Sequence, residues 1–554
     1  MSQNTVLQSS SASALQNADS ATLDNADGLW IGKVADKVLA EFPDQELYTC
    51  AAGISPSGIV HFGNFRDVAT SYAVMRELQL RGKKARLLFS WDNYDRFRKV
   101  PSGVDPSYIK YIGMPLTDVP DPKGEYLSYA RRFEVEFEEA IKELGITLDY
   151  RYQTQEYKSG RYAERIAFVL SHREQAADIL LQFKTEKSNQ EKGIDPEEFR
   201  QTYFPLTVYS RFTGTDKTKV LSYDGGTKLT YRCLVTDKVE QIDFKENPIV
   251  KLPWKPDWAM RWGEEQVHFE PSGKDHMTPG GGYDVNAVFA REMFGRKPPV
   301  PQIYEFVGIQ GLGSKMSGSK GNAISPATLL EIYEPALLKW LYMRRAPTQS
   351  FNLAFDTEVY RQYDEFDREI AALHRGEASP AKQKILSFSG IEIADQGIPL
   401  SFKQTVALGQ ITQWQPSKLR ELAEKSGIQG SETSIAIRIP KAHAWLERYN
   451  PDEIILLRES PNTDYIATMD SDRRHLINKL RSFLGNDVTS ISVLDETLYA
   501  IPKEPSFTDK ELKTKQRAFF KDVYNLLIGK ETGPRLSTFL WAVDRSVVLK
   551  LLAV

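Results

Sequence analysis

His61 stands between glycines in Pro56-Ser57-Gly58-Ile59-Val60-His61-Phe62-Gly63-Asn64, directly after an apolar run, and a second cluster follows much later as Lys315-Met316-Ser317-Gly318-Ser319-Lys320. Both are suited to phosphate. Gly53, Gly58 and Gly63 allow close backbone approach, and a helix starting near Asn64 directs its N–H groups and positive dipole end at an anion. A preorganised donor such as His61 is typically worth roughly 3 to 4 kcal/mol of barrier when charge builds on phosphate oxygens. In the second cluster Lys315 and Lys320 bring positive charge and Ser317 and Ser319 bring hydroxyl donors, on a segment loosened by Gly311, Gly313, Gly318 and Gly321. Such a segment can close over a triphosphate. Neither cluster has P-loop spacing, so attack at the α-phosphate is expected rather than hydrolysis at the γ-phosphate. Taken singly, each also reads as a turn with a satisfied histidine or a solvated basic loop. Their joint occurrence at two strand-to-helix junctions favours the phosphate reading.

The elements that position these groups are legible in the apolar pattern. Leu29-Trp30 opens a helix that stops at Pro43, Leu47 to Ile54 reads as a buried strand, and Phe65, Val68, Tyr72, Met75, Leu78 and Leu80 recur at helical spacing up to Gly82. Ala85 to Trp91 reads as the next strand. This β-loop-α-β unit predicts an α/β fold with a doubly wound parallel sheet, its ligand at the carboxyl ends of the strands. From about 98 to 250 an insertion is expected, with helices around Glu125 to Leu144 and Ser159 to Phe183 and a hairpin through Tyr223-Asp224-Gly225-Gly226-Thr227. The sheet resumes with Gln302 to Ile309, and Ser325-Pro326 starts a helix running to about Arg345. Beyond Pro347 helices dominate. The expected organisation is a tail (1–27), a catalytic domain (28–346), a linking region (347–380) and an all-α domain (381–554).

At 554 residues the chain exceeds a single core, and its formal net charge of −3 confines any RNA contact to a local patch. Cys50 and Cys233 cannot build a disulfide framework, and no paired spacing of a zinc knuckle is present. The first 27 residues are rich in Ser, Ala, Asn, Gln and Asp, with no basic residue before Lys33, unlike a signal or transit peptide. No apolar stretch approaches the roughly 18 residues of a membrane span. A soluble, cytoplasmic protein is expected.

The two clusters resemble the HIGH and KMSKS signatures of class I aminoacyl-tRNA synthetases. More specifically, Gly53 to Gly58, Phe89 to Pro101, Asp257-Trp258-Ala259-Met260-Arg261-Trp262, Phe269 to His276 with Gly280 to Asp284, and Gly533-Pro534-Arg535-Leu536 resemble the class I lysyl-tRNA synthetase family. The resemblance extends from about Trp30 to the C-terminal end. It implies ATP-dependent ligation of lysine to its tRNA through a lysyl-adenylate, with Mg2+ accompanying ATP, and activation that requires bound tRNA. Two alternatives stay open at this point: a synthetase for another amino acid, because both signatures are shared across the class, and a non-catalytic tRNA-binding paralogue. Gly318 stands where a lysine or serine is usual.

Carried over residue by residue, the resemblance implies catalytic roles for His61, Asn64 and Lys315. Pro56, Gly58, His61, Gly63, Asn64, Lys315, Met316, Ser317, Ser319 and Lys320 would bind ATP. A lysine substrate needs a carboxylate for its desolvated ammonium and tolerates aromatic faces along its stem. The candidates are Gly53, Ser55, Asp92, Asp95, Trp254, Trp258, Asp275, His276, Tyr283 and Tyr304, with Asp257 as a further carboxylate. Relatives often carry a zinc knuckle in the insertion; Tyr203 to Cys233 keeps one cysteine, so no structural zinc is expected. The C-terminal helices carry Lys441, Arg448, Arg473, Arg474, Lys479, Arg481, Lys513, Lys515 and Arg517. Most read as solvated faces; through the resemblance they belong to a domain that contacts the tRNA anticodon. A monomer is expected.

Overall fold

The computed structural model describes residues 28–184, 195–310, 324–392 and 397–554. The expected tail and the whole Lys315 to Lys320 cluster lie outside the described residues.

Five parallel strands form the central sheet: β1 (Tyr48–Ile54), β2 (Ala85–Trp91), β3 (Asp149–Tyr152), β4 (Val267–Gly273) and β5 (Val300–Tyr304), in the order β5-β4-β1-β2-β3. β1 lies in the middle and is nearly continuous in buried residues, as a strand covered on both faces must be. It pairs with β2 from Tyr48↔Ala85 to Ile54↔Trp91, and with β4 at Thr49↔Val267 and Cys50↔Phe269. The order runs outward from β1 to β3 and then returns to the other side of β1 with β4. The crevice outside the carboxyl ends of β1 and β4 is therefore the switch point where open parallel sheets bind ligands. The doubly wound α/β class expected from the sequence is the one observed.

Several expected elements are cut by local chemistry. The single helix expected over Ser159 to Phe183 is two helices, Ala163–Ser171 and Arg173–Gln182, because Ser171 and His172 both turn their side chains onto the Phe168 carbonyl at the junction. The strand expected over Gln302 to Ile309 ends at Tyr304; Glu305 donates its N–H to Pro347 O, and Val307–Ile309 restarts as a partner of Phe351–Leu353. The helix expected to run from Pro326 to Arg345 is split into Pro326–Leu330 and Pro335–Met343, since Pro335 cannot continue the preceding ladder. Within 98–250, β3 joins the parallel sheet, and the expected hairpin forms from Thr218–Tyr223 and Lys228–Cys233 with Val239–Asp243 as a third strand.

The chain divides into two compact units. The first holds the residues up to Leu330 with Leu338–Leu353 and Ser379–Gly390, and the second holds Glu331–Leu337, Ala354–Ala378 and Ile391–Val554. Among the described residues the second unit is built from helices, with cores around Ile477, Leu480, Val523 and Leu527 and around Leu400, Leu419 and Ile435. Its buried guanidinium, Arg438, donates to Glu334 Oε1 at 2.6 Å, to both oxygens of Asp367 and to Leu400 O. Burial raises the Asp367 pKa even beside that cation. Replacing Arg438 by Met should therefore lower stability by about 3 to 5 kcal/mol, because two buried carboxylates lose their cation. The folded-state pKa of Asp367 would rise further above the unfolded one, so the loss should grow as pH rises and shrink as this group protonates. Thermal unfolding of Arg438→Met at acidic and at alkaline pH checks both the size and the sign.

Candidate active site

At the end of β1 the chain turns through Ser55 to Val60 and enters the helix Phe62–Leu80 with His61 at its N-cap. No side chain caps this terminus and its first turn carries no acidic residue. The Phe62 N–H goes to Ile324 O and the Asn64 N–H to His61 O, so what the terminus offers an incoming anion is chiefly its positive dipole end. The imidazole of His61 is largely buried, Nδ1 lacks a partner among the described residues, and burial lowers its pKa, so the ring is neutral near pH 7. A Cβ at Gly63 would stand 2.8 Å from His61 Cε1 and Nδ1, so glycine at 63 is what lets the ring occupy this position.

These groups open onto a cavity of about 600 Å³ at the switch point. Its walls include Gly53 to Ser55 and Ser57 to His61 at and after the end of β1, Asn64 and Asp67 on the helix that follows, Asp92, Asp95 and Arg98 after β2, Arg151 and Gln153 at the end of β3, the helix Trp254–Glu264, Glu270 to Ser272 and His276 from β4 and its exit, and Tyr304 at the end of β5. On the helix Trp254–Glu264, Trp254, Trp258, Arg261 and Trp262 recur at helical spacing and all line the cavity. Trp254 and Trp258 stack with centroids 4.7 Å apart at 24°, and Trp254 lies 5.3 Å from the His276 ring. A Cβ at Gly282 would meet the Trp254 ring at 2.8 Å, so glycine at 282 lets the chain pass against the indole.

The carboxylates divide into two sets. Asp92 pairs with Arg261 at 2.6 Å and Asp95 with Lys251 at 2.9 Å, while the fully buried Asp257 lies between both cations at 3.4 and 3.5 Å. Burial raises Asp92; at Asp95 burial pushes the same way, but Lys251 together with Arg98 and Arg261 holds the carboxyl below its usual value. The expected ammonium acceptors are therefore already engaged by the protein's own cations. The second set was missed in the sequence. Asp67, on the turn of helix after Asn64, is 6% exposed and, among the described residues, accepts only the Gly53 N–H at 3.2 Å. Glu270, on β4, accepts the indole N–H groups of Trp258 at 3.1 Å and Trp262 at 2.5 Å. Burial and the Glu270 charge drive Asp67 well above the carboxylate range, and burial pushes Glu270 up to about 7. Among the described residues neither forms an ion pair. The available signal was spacing: Asp67 follows His61 by six residues on one helix, and Glu270 heads the Glu270 to His276 run.

Of the other expected residues, Gly53, Ser55, Gly58, His61, Asn64, Asp92, Asp95, Trp254, Trp258, His276 and Tyr304 line this one cavity. Pro56 and Gly63 are adjacent in the chain but do not line it. Asp275 is exposed and outside its lining, and Tyr283 donates its hydroxyl to Pro299 O at 2.7 Å instead of facing the cavity. Lys315, Met316, Ser317, Ser319 and Lys320 fall outside the described residues. Of the C-terminal basic residues, Arg448 pairs with Glu331, Arg473 with Asp522, and Arg474 and Arg481 donate to backbone carbonyls, while Lys479, Lys513, Lys515 and Arg517 are exposed. Among the described residues no helix is long and apolar enough to cross a membrane.

Residues 28–392 match the family model described as tRNA synthetases class I (K). A lysine–tRNA ligase of Streptomyces coelicolor is 37% identical over 94% of this chain and 98% of its own length. Those of Pyrococcus horikoshii and Thermococcus kodakarensis are 32% and 33% identical, again over 94% of this chain and 98% of theirs. With a switch-point cavity walled by the first signature and a near full-length match to these enzymes, the chain belongs to the class I tRNA synthetase (K) family, aminoacyl-tRNA synthetases of the lysine type.

Proposed function

We propose that this cavity binds lysine and ATP for the ligation of lysine to tRNA, with Asp67 and Glu270 receiving the substrate's ε-ammonium. The observation that carries the reading is the contrast between the two carboxylate sets. A desolvated ammonium costs several kcal/mol unless paired. Asp92 and Asp95 already hold Arg261 and Lys251, whereas Asp67 and Glu270 hold no cation among the described residues and repel each other when both are ionised. A bound ammonium relieves that repulsion. The stacked Trp254 and Trp258 suit the aliphatic stem and, together with His276 and Ser55, the rest of the amino acid.

In this reading the lysine carboxylate attacks the α-phosphate of Mg-ATP. A new P–O bond forms, the bond to the β-phosphate breaks, and pyrophosphate leaves as lysyl-adenylate is made. The positive dipole end of the helix Phe62–Leu80, with the Asn64 side chain, and the neutral His61 stabilise the charge on the phosphate oxygens. Lys315 and its neighbours would meet the departing pyrophosphate. A terminal ribose hydroxyl of tRNA then attacks the adenylate carbonyl and AMP departs. Mg2+, if it accompanies the nucleotide as substrate, would supply further neutralisation of the phosphate charge. The helical second unit is read as the anticodon-contacting part, with Lys479, Lys513, Lys515 and Arg517 as its open cations.

tRNA-dependent ATP–pyrophosphate exchange across a panel of amino acids is the primary test, and lysine should support it alone. Exchange with none would favour a non-catalytic tRNA-binding paralogue, and a preference for glutamate or arginine would remove the lysine assignment. Asp67→Asn and Glu270→Gln should each raise the lysine KM at least about thirtyfold while changing the ATP KM little, since removing one member of a buried charge pair costs about 2 to 5 kcal/mol. An unchanged lysine KM in both would sink the ammonium assignment.

The pH dependence follows in sign. As pH falls the empty site takes protons at Asp67, whose pKa burial and the Glu270 charge hold well above its usual value, and at Glu270 near about 7, and a neutral acid cannot pair with an ammonium. The kcat/KM for lysine should therefore fall as pH drops through that value, with a limiting slope of about tenfold per unit. At Gly63, alanine should leave the thermal midpoint nearly unchanged but lower kcat by about 10- to 100-fold, because its methyl displaces the flexible His61 ring rather than backbone. His61→Ala should lose at least as much.

A further inference from the structure

Arg66 is a buried guanidinium, 1% exposed, one turn beyond His61 in the same helix. Its Nη2 donates to three backbone carbonyls, Ala346 O at 3.1 Å, Pro347 O at 2.8 Å and Gln349 O at 2.8 Å, and its guanidinium lies 5.1 Å from the Phe351 ring centroid. Nη1 is buried without a partner among the described residues, and burial lowers the pKa to about 10. No ion pair compensates this cation among the described residues, so an apolar side chain of the same length would pack here at lower desolvation cost.

The turn that Arg66 grips is joined to the strand that leads directly into the segment 311–323. Pro347 O also accepts the Glu305 N–H, and Phe351–Leu353 pairs in parallel with Val307–Ile309, while Gln310 donates to Leu353 O. This is the entry side of that segment. On the exit side Ile324 O accepts the Phe62 N–H, and Tyr342 donates its hydroxyl to Phe62 O at 2.8 Å. Both sides are thus fastened to the first turns of the helix that carries His61 and Asn64. Arg66 supplies three hydrogen bonds that join the helix to the entry side.

We propose that Arg66 is a positioning residue for adenylate formation, setting the distance between the helix N-terminus that carries His61 and the backbone that brackets 311–323. The proposal rests on the reading that Lys315 acts on the phosphates. Arg66 does not line the cavity and touches no substrate; it acts through the backbone it holds. Because a misplaced group loses its contribution to the transition state while substrate binding persists, the effect belongs in kcat.

The test is a double-mutant cycle in tRNA-dependent pyrophosphate exchange, using Arg66→Met, Lys315→Ala, both together, and Arg66→Lys. Arg66→Met should lower kcat about 10- to 100-fold with the lysine KM within about threefold of wild type, and Arg66→Lys, which restores N–H donors, should recover part of the loss. If Arg66 works by placing Lys315, the double variant should be no more than about threefold slower than Lys315→Ala alone, since residues that act as a unit are not additive. Losses that multiply, or an Arg66→Met enzyme with wild-type kcat, would overturn the positioning role. A Lys315→Ala enzyme of unchanged kcat would overturn the phosphate reading beneath it. Should Arg66→Met not fold, Arg66→Lys with Lys315→Ala completes the same cycle, where additivity again counts against the proposal.

Discussion

The start of the helix Phe62–Leu80 is the constraint on which the catalytic unit depends. The helix is fastened from several directions at once: Asp67 holds the Gly53 N–H, Ser71 holds Ala51 O, Phe62 bonds Ile324 and Tyr342, and Arg66 grips the turn at Ala346 to Gln349. β1 is the middle strand of a parallel sheet, and the helix that follows it inherits that fixed position. A helix terminus so held keeps its positive dipole end in one place beside the cavity, because the surrounding bonds fix its position.

Charge is arranged by a similar division of roles. Lys251, Arg261, Asp92, Asp95 and Asp257 form a buried network in which each carboxylate has a cation within 3.5 Å. Such a network fixes the helix Trp254–Glu264 against the exit of β2 and removes those carboxylates from competition for a charged ligand. Glu270 is tuned differently, by two indole N–H donors that satisfy its oxygen without neutralising it. In the proposed reading, cation-free carboxylates beside a stacked tryptophan pair would make one wall of the cavity selective for positive charge, while the neutral His61 and the helix terminus would serve phosphate. A single cavity thereby offers surroundings of both signs.

Element boundaries depart from the apolar pattern where side chains or prolines intervene at a few residues. The break at His172, the separation of Val300–Tyr304 from Val307–Ile309 and the restart at Pro335 all reflect local competition that a broad apolar period does not resolve. Most of the cavity lining was readable, because His61, Asn64, Trp254, Trp258, His276 and Tyr304 sit in runs whose composition or resemblance singles them out. Asp67 and Glu270 were not, since a carboxylate inside a helix or strand pattern looks like any surface charge until its neighbours are known.

By itself the sequence determined the parallel α/β class, the strand-to-helix junction that presents His61, and the family, because apolar periodicity and contiguous motifs are local properties of the chain. Only the tertiary structure decided which carboxylates are already paired. That partition depends on Lys251 and Arg261 arriving beside Asp95 and Asp92 from distant segments, and on Asp67 and Glu270 being brought to the same cavity with no described cation between them. Electrostatic pairing is set by distance in space and by burial, and neither is written in the order of residues.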